Sequence, residues 1–327
     1  MNIANLSATL STFVPTATNQ VSDHPGGKAK ANPPTRAAPA RERRGRRGRR
    51  GTVPTPKSRT TVRHAGASSH GAAFSRYPEP VHTLVILRHG ESLWNAANLF
   101  TGWVDVDLSP KGEEEARAAG ALLAAESGLV IDVVHTSVLT RAVHTSDLAL
   151  AVAGRSYLPV HRHWRLNERH YGRLQGMNKK EAAERFGADQ VKAWRRGYLT
   201  PPDPVDVDDP NHPVNDPRYA LIPPDALPGS ECLADVVRRL IPYFEDRIGK
   251  DLLEGRTVLV VAHGNSLRAL AKYIERISDE NIVDLDIPTG VPRVYELDDD
   301  LHVVSARYLG DPEAIRAAAE AVARQAG

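Results

Sequence analysis

A break in character near residue 80 limits what this chain can fold into more than anything else in it. Residues 1–80 carry 14 Lys/Arg against 3 Asp/Glu, a local net of +11, and hold 9 of the 24 prolines. They include the run Arg41-Glu42-Arg43-Arg44-Gly45-Arg46-Arg47-Gly48-Arg49-Arg50 and show no sustained hydrophobic period. A segment that cannot bury apolar area cannot offset the entropy of ordering it, so 1–80 reads as a disordered basic extension. Residues 81–327 carry 28 basic and 37 acidic side chains, a net of −9. Those 247 residues are enough for one sizeable hydrophobic core. No apolar run approaches the roughly 20 residues needed to cross a bilayer. The lone thiol, Cys232, cannot form an internal disulfide.

Three readings of the extension stay open. It is a solvated appendage, or one placed before the true start. Alternatively its clustered Arg binds nucleic acid or an anionic surface by releasing counterions. Or its Ser, Thr and Arg with few acids mark an organellar transit segment. No secretory signal is visible, because Ile3 to Val14 is broken by polar residues and lacks a basic start.

Beyond the break, strand and helix patterns alternate. His82–Arg88 is a continuous apolar run, the mark of a strand buried on both faces. Ser109-Pro110 opens a helix to about Glu126. A strand is expected at Val130–His135, then a helix at Leu139–Ala153 stopped by Gly154. Asn178 caps a helix that ends at Phe186, before Gly187. Residues 198–229, rich in Pro and Asp, read as a long ordered loop or lid. Ser230 is expected to open a helix to about Leu253, bent at Pro242. Thr257–Ala262 is a second buried strand, with a helix from Asn265. Val291–Leu297 and His302–Arg307 pair around a turn at Asp298–Asp300, and Asp311-Pro312 starts a terminal helix. This alternation predicts an α/β fold of three layers, α/β/α, with a mostly parallel central sheet. The expected organisation is an extension at 1–80, a catalytic domain at 81–310 and a helical tail at 311–327. The tail is a candidate flap over the site.

Two of the buried strands end alike. The first runs into Arg88-His89-Gly90-Glu91, and the later one into Ala262-His263-Gly264-Asn265. In open α/β sheets the carboxyl ends of the strands host the ligand. Glycine after each histidine lets backbone approach that ligand closely. A neutral imidazole is able to attack phosphorus directly, dividing one hard transfer into two easier ones. Such a transfer needs cations around the phosphoryl oxygens, and the planar fork of Arg suits them. Arg88 precedes the first histidine, and Arg141 follows the second expected strand. The His161-x-His163 pair is too weak a pattern to argue for a metal.

These segments resemble the 2,3-bisphosphoglycerate-dependent phosphoglycerate mutases of the histidine phosphatase superfamily, over roughly residues 82–310. Arg88 to Ser92 with Trp94-Asn95 resembles the phosphohistidine motif. Phe100-Thr101-Gly102-Trp103, Leu166 to Gly172, Trp194-Arg195-Arg196, Ala262 to Arg268 and Ile287 to Pro292 match further segments. The resemblance implies that His89 becomes phosphohistidine, and that Arg88, Arg141 and His263 hold the transferring group. It implies that Asn95 and the Gly264-Asn265 backbone frame that group, with Glu168 moving protons to and from substrate hydroxyls. Ser92, Thr101, Gly102, Arg169, His170, Tyr171, Lys179, Arg195 and Arg196 would then line the part that holds the carboxylate and second phosphate. Beside an anionic substrate the charged form of an acid is disfavoured, which suits Glu168 to carrying a proton.

The activity so implied is interconversion of 3-phosphoglycerate and 2-phosphoglycerate in glycolysis and gluconeogenesis. It would be primed by 2,3-bisphosphoglycerate, need no metal, and belong to a cytoplasmic homodimer. The competing reading on the same fold is a phosphatase, in which water takes the phosphoryl group from His89. Lys179, Arg195-Arg196 and the 198–229 segment would retain a bisphosphorylated intermediate, and they favour the mutase. A nucleic-acid-binding protein working through residues 41–50 is the alternative of a different class.

Every residue assigned to the site lies at 88 or beyond, so deleting residues 1–80 is expected to leave kcat and the thermal midpoint nearly unchanged. The +11 charge of the extension can still steer an anionic substrate, an effect that salt screens. Any fall in kcat/KM should therefore vanish at high ionic strength. A large, salt-independent drop in kcat on comparing the two proteins would move the boundary.

Overall fold

The computed structural model describes residues 81–324, and the side chains up to residue 320. The disorder expected of residues 1–80 lies outside the described residues. Strands β1 (His82–Arg88), β2 (Val133–Thr136), β3 (Val160–Arg162), β4 (Val258–Ala262), β5 (Arg293–Leu297) and β6 (Val303–Tyr308) form one sheet in the order β3-β2-β4-β1-β5-β6. The first four strands of that order run parallel, while β5 and β6 are antiparallel at one edge.

The apolar run in β1 is continuous because the strand is covered on both faces. Leu84 and Ile86 meet Val258, Val260, Leu240, Phe244, Leu267 and Leu270 on one side. Val85 and Leu87 meet Leu259, Val261, Ala119, Leu123, Ala149 and Leu150 on the other. The helices that supply these contacts are α2 (Pro110–Ala125) and α3 (Thr140–Val152) on one face, and α6 (Leu233–Tyr243), α7 (Gly249–Leu253) and α8 (Gly264–Ile274) on the opposite face. The expected three-layer α/β/α fold is the one observed. A four-residue helix, α1 (Leu93–Ala96), follows β1, and the pair α4 (Lys179–Phe186) and α5 (Ala188–Arg196) stands over the carboxyl ends of the strands.

Some boundaries differ from expectation. The second strand starts at Val133 rather than Val130. The helix expected from Ser230 starts at Leu233, with Cys232 at the N-cap and its N–H donating to Asp235. Glu231 is thereby left outside the helix, where its carboxylate is buried against Arg239. Pro242 lacks the N–H that would continue the ladder, and Phe244–Ile248 winds as a wide π-turn before α7. Sequence patterning assigned neither β3 nor α5. Three residues reading Val-His-Arg are too few for a strand period, and α5 has one buried side chain, Val191.

The 198–229 segment is a loop carrying three short 3₁₀ turns, each opened by a proline. Tyr219 anchors it, packing on Trp103 and accepting at its phenol oxygen from Asn167 Nδ2 at 2.8 Å. The terminal helix α9 (Pro312–Arg324) begins as expected, with the Asp311 carboxylate accepting the Ala314 N–H.

The turn after β1 is pressed against the first turn of α2. A Cβ on Gly90 would lie 2.1 Å from the Gly112 carbonyl oxygen, and one on Gly112 would lie 2.0 Å from the Glu91 carbonyl oxygen. Both contacts are backbone, so neither can yield by a rotamer change. Gly112→Ala is expected to cost about 1–3 kcal/mol, the usual range for overpacking, and to lower activity by shifting the His89 turn. Thermal unfolding with a parallel rate measurement checks this; an unchanged midpoint would mean that α2 can slide freely.

Candidate active site

β1 and β4 are neighbours with Arg88 level with Ala262, so the two His-Gly turns leave the sheet side by side. The His89 N–H donates to the Ala262 carbonyl at 2.9 Å, and the His89 and His263 rings stand edge-on with centroids 4.9 Å apart. Both rings are buried. His89 Nδ1 lies 2.6 Å from the Gly90 carbonyl oxygen. A carbonyl can only accept, so Nδ1 carries the proton and Nε2 keeps its lone pair. Burial, then the charges of Arg141 and Arg88, push the His89 pKa well below its ordinary value. His89 is therefore neutral at physiological pH, as a nucleophile must be. Burial and Arg141 act the same way on His263, whose Nε2 is 2.7 Å from Ser137 Oγ.

Around the pair lies a cleft lined by Arg88, Arg141, Lys179, Arg195, Arg196 and Arg268, with Glu168 and Asp286 the acids in its lining. Six cations against two acids select an anion. One of the acids is already committed, because Asp286 holds Arg196 by two bonds of 2.7 and 2.8 Å. Four buried polar atoms of the lining have no hydrogen-bond partner: Arg88 Nε, Thr101 Oγ1, Arg195 Nη1 and Arg268 Nε. Buried polar groups are almost always paired, so these four are satisfied by whatever enters the cleft, water or an anion. Burial, joined at Arg268 by crowding, shows in the pKa values. Burial moves Arg141 down to about 10, and burial with Arg196 and Arg169 moves Arg268 down to about 9. An anion among these cations relieves that repulsion.

The cations are placed by main-chain acceptors. Arg141 donates to the Gly102 and Val104 carbonyls at 2.7 and 3.1 Å, which ties α3 to the 101–105 loop. Gly102 adopts φ +58°, and a Cβ there would strike Gln175. Arg88 Nη1 donates to the Ile287 carbonyl at 2.8 Å. Gly264 permits the close approach of Arg88, whose Cζ would sit 3.4 Å from a Cβ at that position. Glu168 is buried, and its carboxylate accepts the Arg169 N–H at 2.7 Å and the Asn265 N–H at 3.2 Å.

Most of the residues singled out from sequence meet in this cleft: Arg88, His89, Asn95, Thr101, Gly102, Arg141, Glu168, Tyr171, Lys179, Arg195, Arg196, Gly264 and Asn265. His263 lies directly behind His89. Three others stand behind the wall rather than in it. Ser92 exchanges capping bonds with Asn95 at the start of α1. Arg169 is buried, with its guanidinium over the Tyr171 ring and donating to the Arg195 carbonyl. His170 is buried with Nδ1 accepting the Gly172 N–H. Sequence reasoning gave no role to two charged lining residues. Arg268 lies one helical turn after Gly264 and reads as an ordinary helix cation. Asp286 carries no motif of its own. Of the histidines weighed for a metal, His161 is exposed on β3 and His163 caps a 3₁₀ turn.

Fold and cleft together describe an enzyme that handles phosphorylated anions through histidine. The chain belongs to the histidine phosphatase superfamily, branch 1, whose model matches residues 84–211 and 208–307. It is 60% identical over 245 residues to the 2,3-bisphosphoglycerate-dependent phosphoglycerate mutase of Thermobifida fusca, covering 74% of this chain and 98% of the relative. It is 56% identical, also over 245 residues, to the protein of that name from Nitratidesulfovibrio vulgaris, covering 75% and 98%. Among solved structures, phosphoglycerate mutase from Bacillus anthracis aligns with a TM-score of 0.51 at 20% identity, over 73% of this chain and 96% of that one. A mycobacterial glucosyl-3-phosphoglycerate phosphatase aligns at 0.52 and 23%, over 69% and 97%. These two likenesses concern the fold.

Lys179 gives the cleft a pH dependence. Burial, Arg195 and Arg88 lower its pKa from the usual 10.5 to about 7. Below pH 7 the empty cleft holds a charged ammonium, and above it anion binding must first take up a proton. Affinity for sulfate, which stays a dianion throughout, should fall severalfold between pH 6 and pH 8.5. Titration calorimetry should show that Lys179→Met binds more weakly at pH 6 and loses most of this slope. An equal slope in the variant would assign the titration to another group.

Proposed function

We propose that the protein interconverts 3-phosphoglycerate and 2-phosphoglycerate through a phosphohistidine at His89. The observation that carries the reading is a neutral, buried histidine whose Nε2 keeps its lone pair, inside a ring of cations of which three, Arg88, Arg195 and Arg268, each keep one unpaired donor. The shared sequence with the two bacterial mutases, over nearly their full length, supports the same activity.

His89 Nε2 attacks the phosphorus of the incoming group, while Nδ1–H stays on the Gly90 carbonyl and keeps the ring aligned. Arg88, Arg141 and His263 surround the oxygens of that group, and the N-terminal end of α8 adds its dipole. Glu168 gives a proton to the departing hydroxyl oxygen and removes one from the hydroxyl that is phosphorylated next. Lys179, Arg195 and Arg196 hold the carboxylate and the second phosphate. The unpaired Arg195 Nη1 and Arg268 Nε fit a doubly phosphorylated ligand across the cleft. When bound, 2,3-bisphosphoglycerate supplies the phosphoryl group that primes His89. A cytoplasmic homodimer that works without metal completes the proposal, with the cations providing the charge a metal would otherwise supply.

Incubation with 2,3-bisphosphoglycerate labelled in its phosphates should give an acid-labile, base-stable adduct on His89, absent from His89→Ala. Mutase activity should require priming by that compound and survive a chelator. Glu168→Gln should lower kcat about 10²-fold, the scale of a lost acid–base group, with less effect on ligand affinity. Label retained by His89→Ala would sink the assignment, and hydrolysis outpacing isomerisation would make the protein a phosphatase.

A further inference from the structure

Unlike His89 and His263, each of which directly follows a strand of the central sheet, Glu168 has no strand or α-helix leading into its position. It lies at residues 167–171, between two 3₁₀ turns, Trp164–Leu166 and Gly172–Leu174. A proton carrier must keep its place to within a fraction of an ångström, so something else has to fix it. The contacts that do so converge on one buried side chain outside the cleft.

Arg239 projects from α6, with its side chain 8% exposed. Its Nη2 lies 2.9 Å from the Glu168 carbonyl oxygen and 3.0 Å from that of Asn167, and its Nη1 donates to the Arg165 carbonyl at 2.6 Å. Its Nε and Nη2 also bind the two carboxylate oxygens of Glu231 at 2.6 and 3.0 Å. Glu231, itself 2% exposed, accepts the His170 N–H at 2.8 Å. The ion pair therefore grips the segment on both sides of Glu168: carbonyls before it through the guanidinium, an amide after it through the carboxylate. Trp103 closes the arrangement, with Nε1 donating to the same Glu168 carbonyl and Arg239 Cζ 5.5 Å from its ring centroid.

We propose that Arg239, clamped by Glu231, is the positioning residue for the proton carrier, fixing the Glu168 carboxylate against the Asn265 N–H through the main chain. This rests on the reading of Glu168 as that carrier. The side chain touches no cleft surface, so its effect falls on the chemical step and not on ligand affinity. An ammonium cannot replace it, because one point charge cannot reach three carbonyls and two carboxylate oxygens in a fixed plane. A buried ion pair is a weak way to gain stability, since packed apolar side chains would serve as well. Its use here is to aim several acceptors at once.

The test is a cycle of variants. Arg239→Lys should lower kcat about tenfold or more while leaving KM within about threefold, the scale of a small misplacement of a catalytic group. The double variant Glu168→Gln/Arg239→Lys should be no slower than Glu168→Gln alone, because a positioning residue has no effect once its target cannot move protons. A merely structural role would multiply the two losses and raise KM. Glu231→Gln, which loosens the clamp with little change of shape, should reproduce the kcat effect more weakly, and it decides the matter if Arg239→Lys does not fold. Wild-type kcat in the folded Arg239 and Glu231 variants, or losses that multiply in the double variant, would overturn the proposal. Wild-type kcat in Glu168→Gln alone would instead remove the reading on which it rests.

Discussion

The parallel pairing of β1 with β4 is the interaction on which everything else in the molecule depends. Its register sets Arg88 level with Ala262, so the two histidines emerge at one height on adjacent strands. Main-chain hydrogen bonds form that register, and the His89 N–H adds one more rung to the Ala262 carbonyl. A slip of one residue would turn the β1 side chains over to the opposite layer, burying Leu84 and Ile86 where Val85 and Leu87 now fit. The two apolar layers therefore enforce the geometry of a polar site that lies at their edge.

The cleft works against the stability of its own empty form. Six cations are gathered in its lining, within a folded part of the chain whose net charge is negative. Each main-chain acceptor that holds one of them in place also keeps it from turning away from the others. Arg141 is anchored to Gly102 and Val104, Arg88 to Ile287, and Arg268 to Ile282. The repulsion is thus built in before any ligand arrives, and a phosphorylated anion releases it. Preorganised charge of this kind needs no rearrangement at the moment of reaction, which is the main way enzymes stabilise developing charge.

What was legible in the sequence follows from range. The buried strands could be read because both faces of β1 and β4 are apolar, and the helix starts because Ser109 and Asn178 declare themselves as caps. His89 and His263 could be paired because each ends a strand of that type. The short β3 and the polar α5 left no period to detect. The start of α6 was misplaced by three residues, since Ser230 has the chemistry of a cap while Cys232 occupies that position. Ser92, Arg169 and His170 sit inside motifs that point to the site, yet motif membership does not say which way a side chain faces. Arg268, Asp286 and Arg239 were given no role because theirs arise from partners far away in sequence.

The order of the strands also has a consequence for how the molecule comes into being. β1, which carries the nucleophilic histidine, is the first strand of the sheet to leave the ribosome. Its two neighbours, β4 and β5, lie at residues 258–262 and 293–297. A nascent chain therefore holds Leu84 to Leu87 with both edges unpaired until most of the domain has been synthesised, and closing so long a loop is slow. During that interval a wholly apolar segment is exposed to pairing with another copy. Any condition that delays the carboxyl-terminal third of the protein should be felt first as aggregation through β1, before a single catalytic group has met its partner.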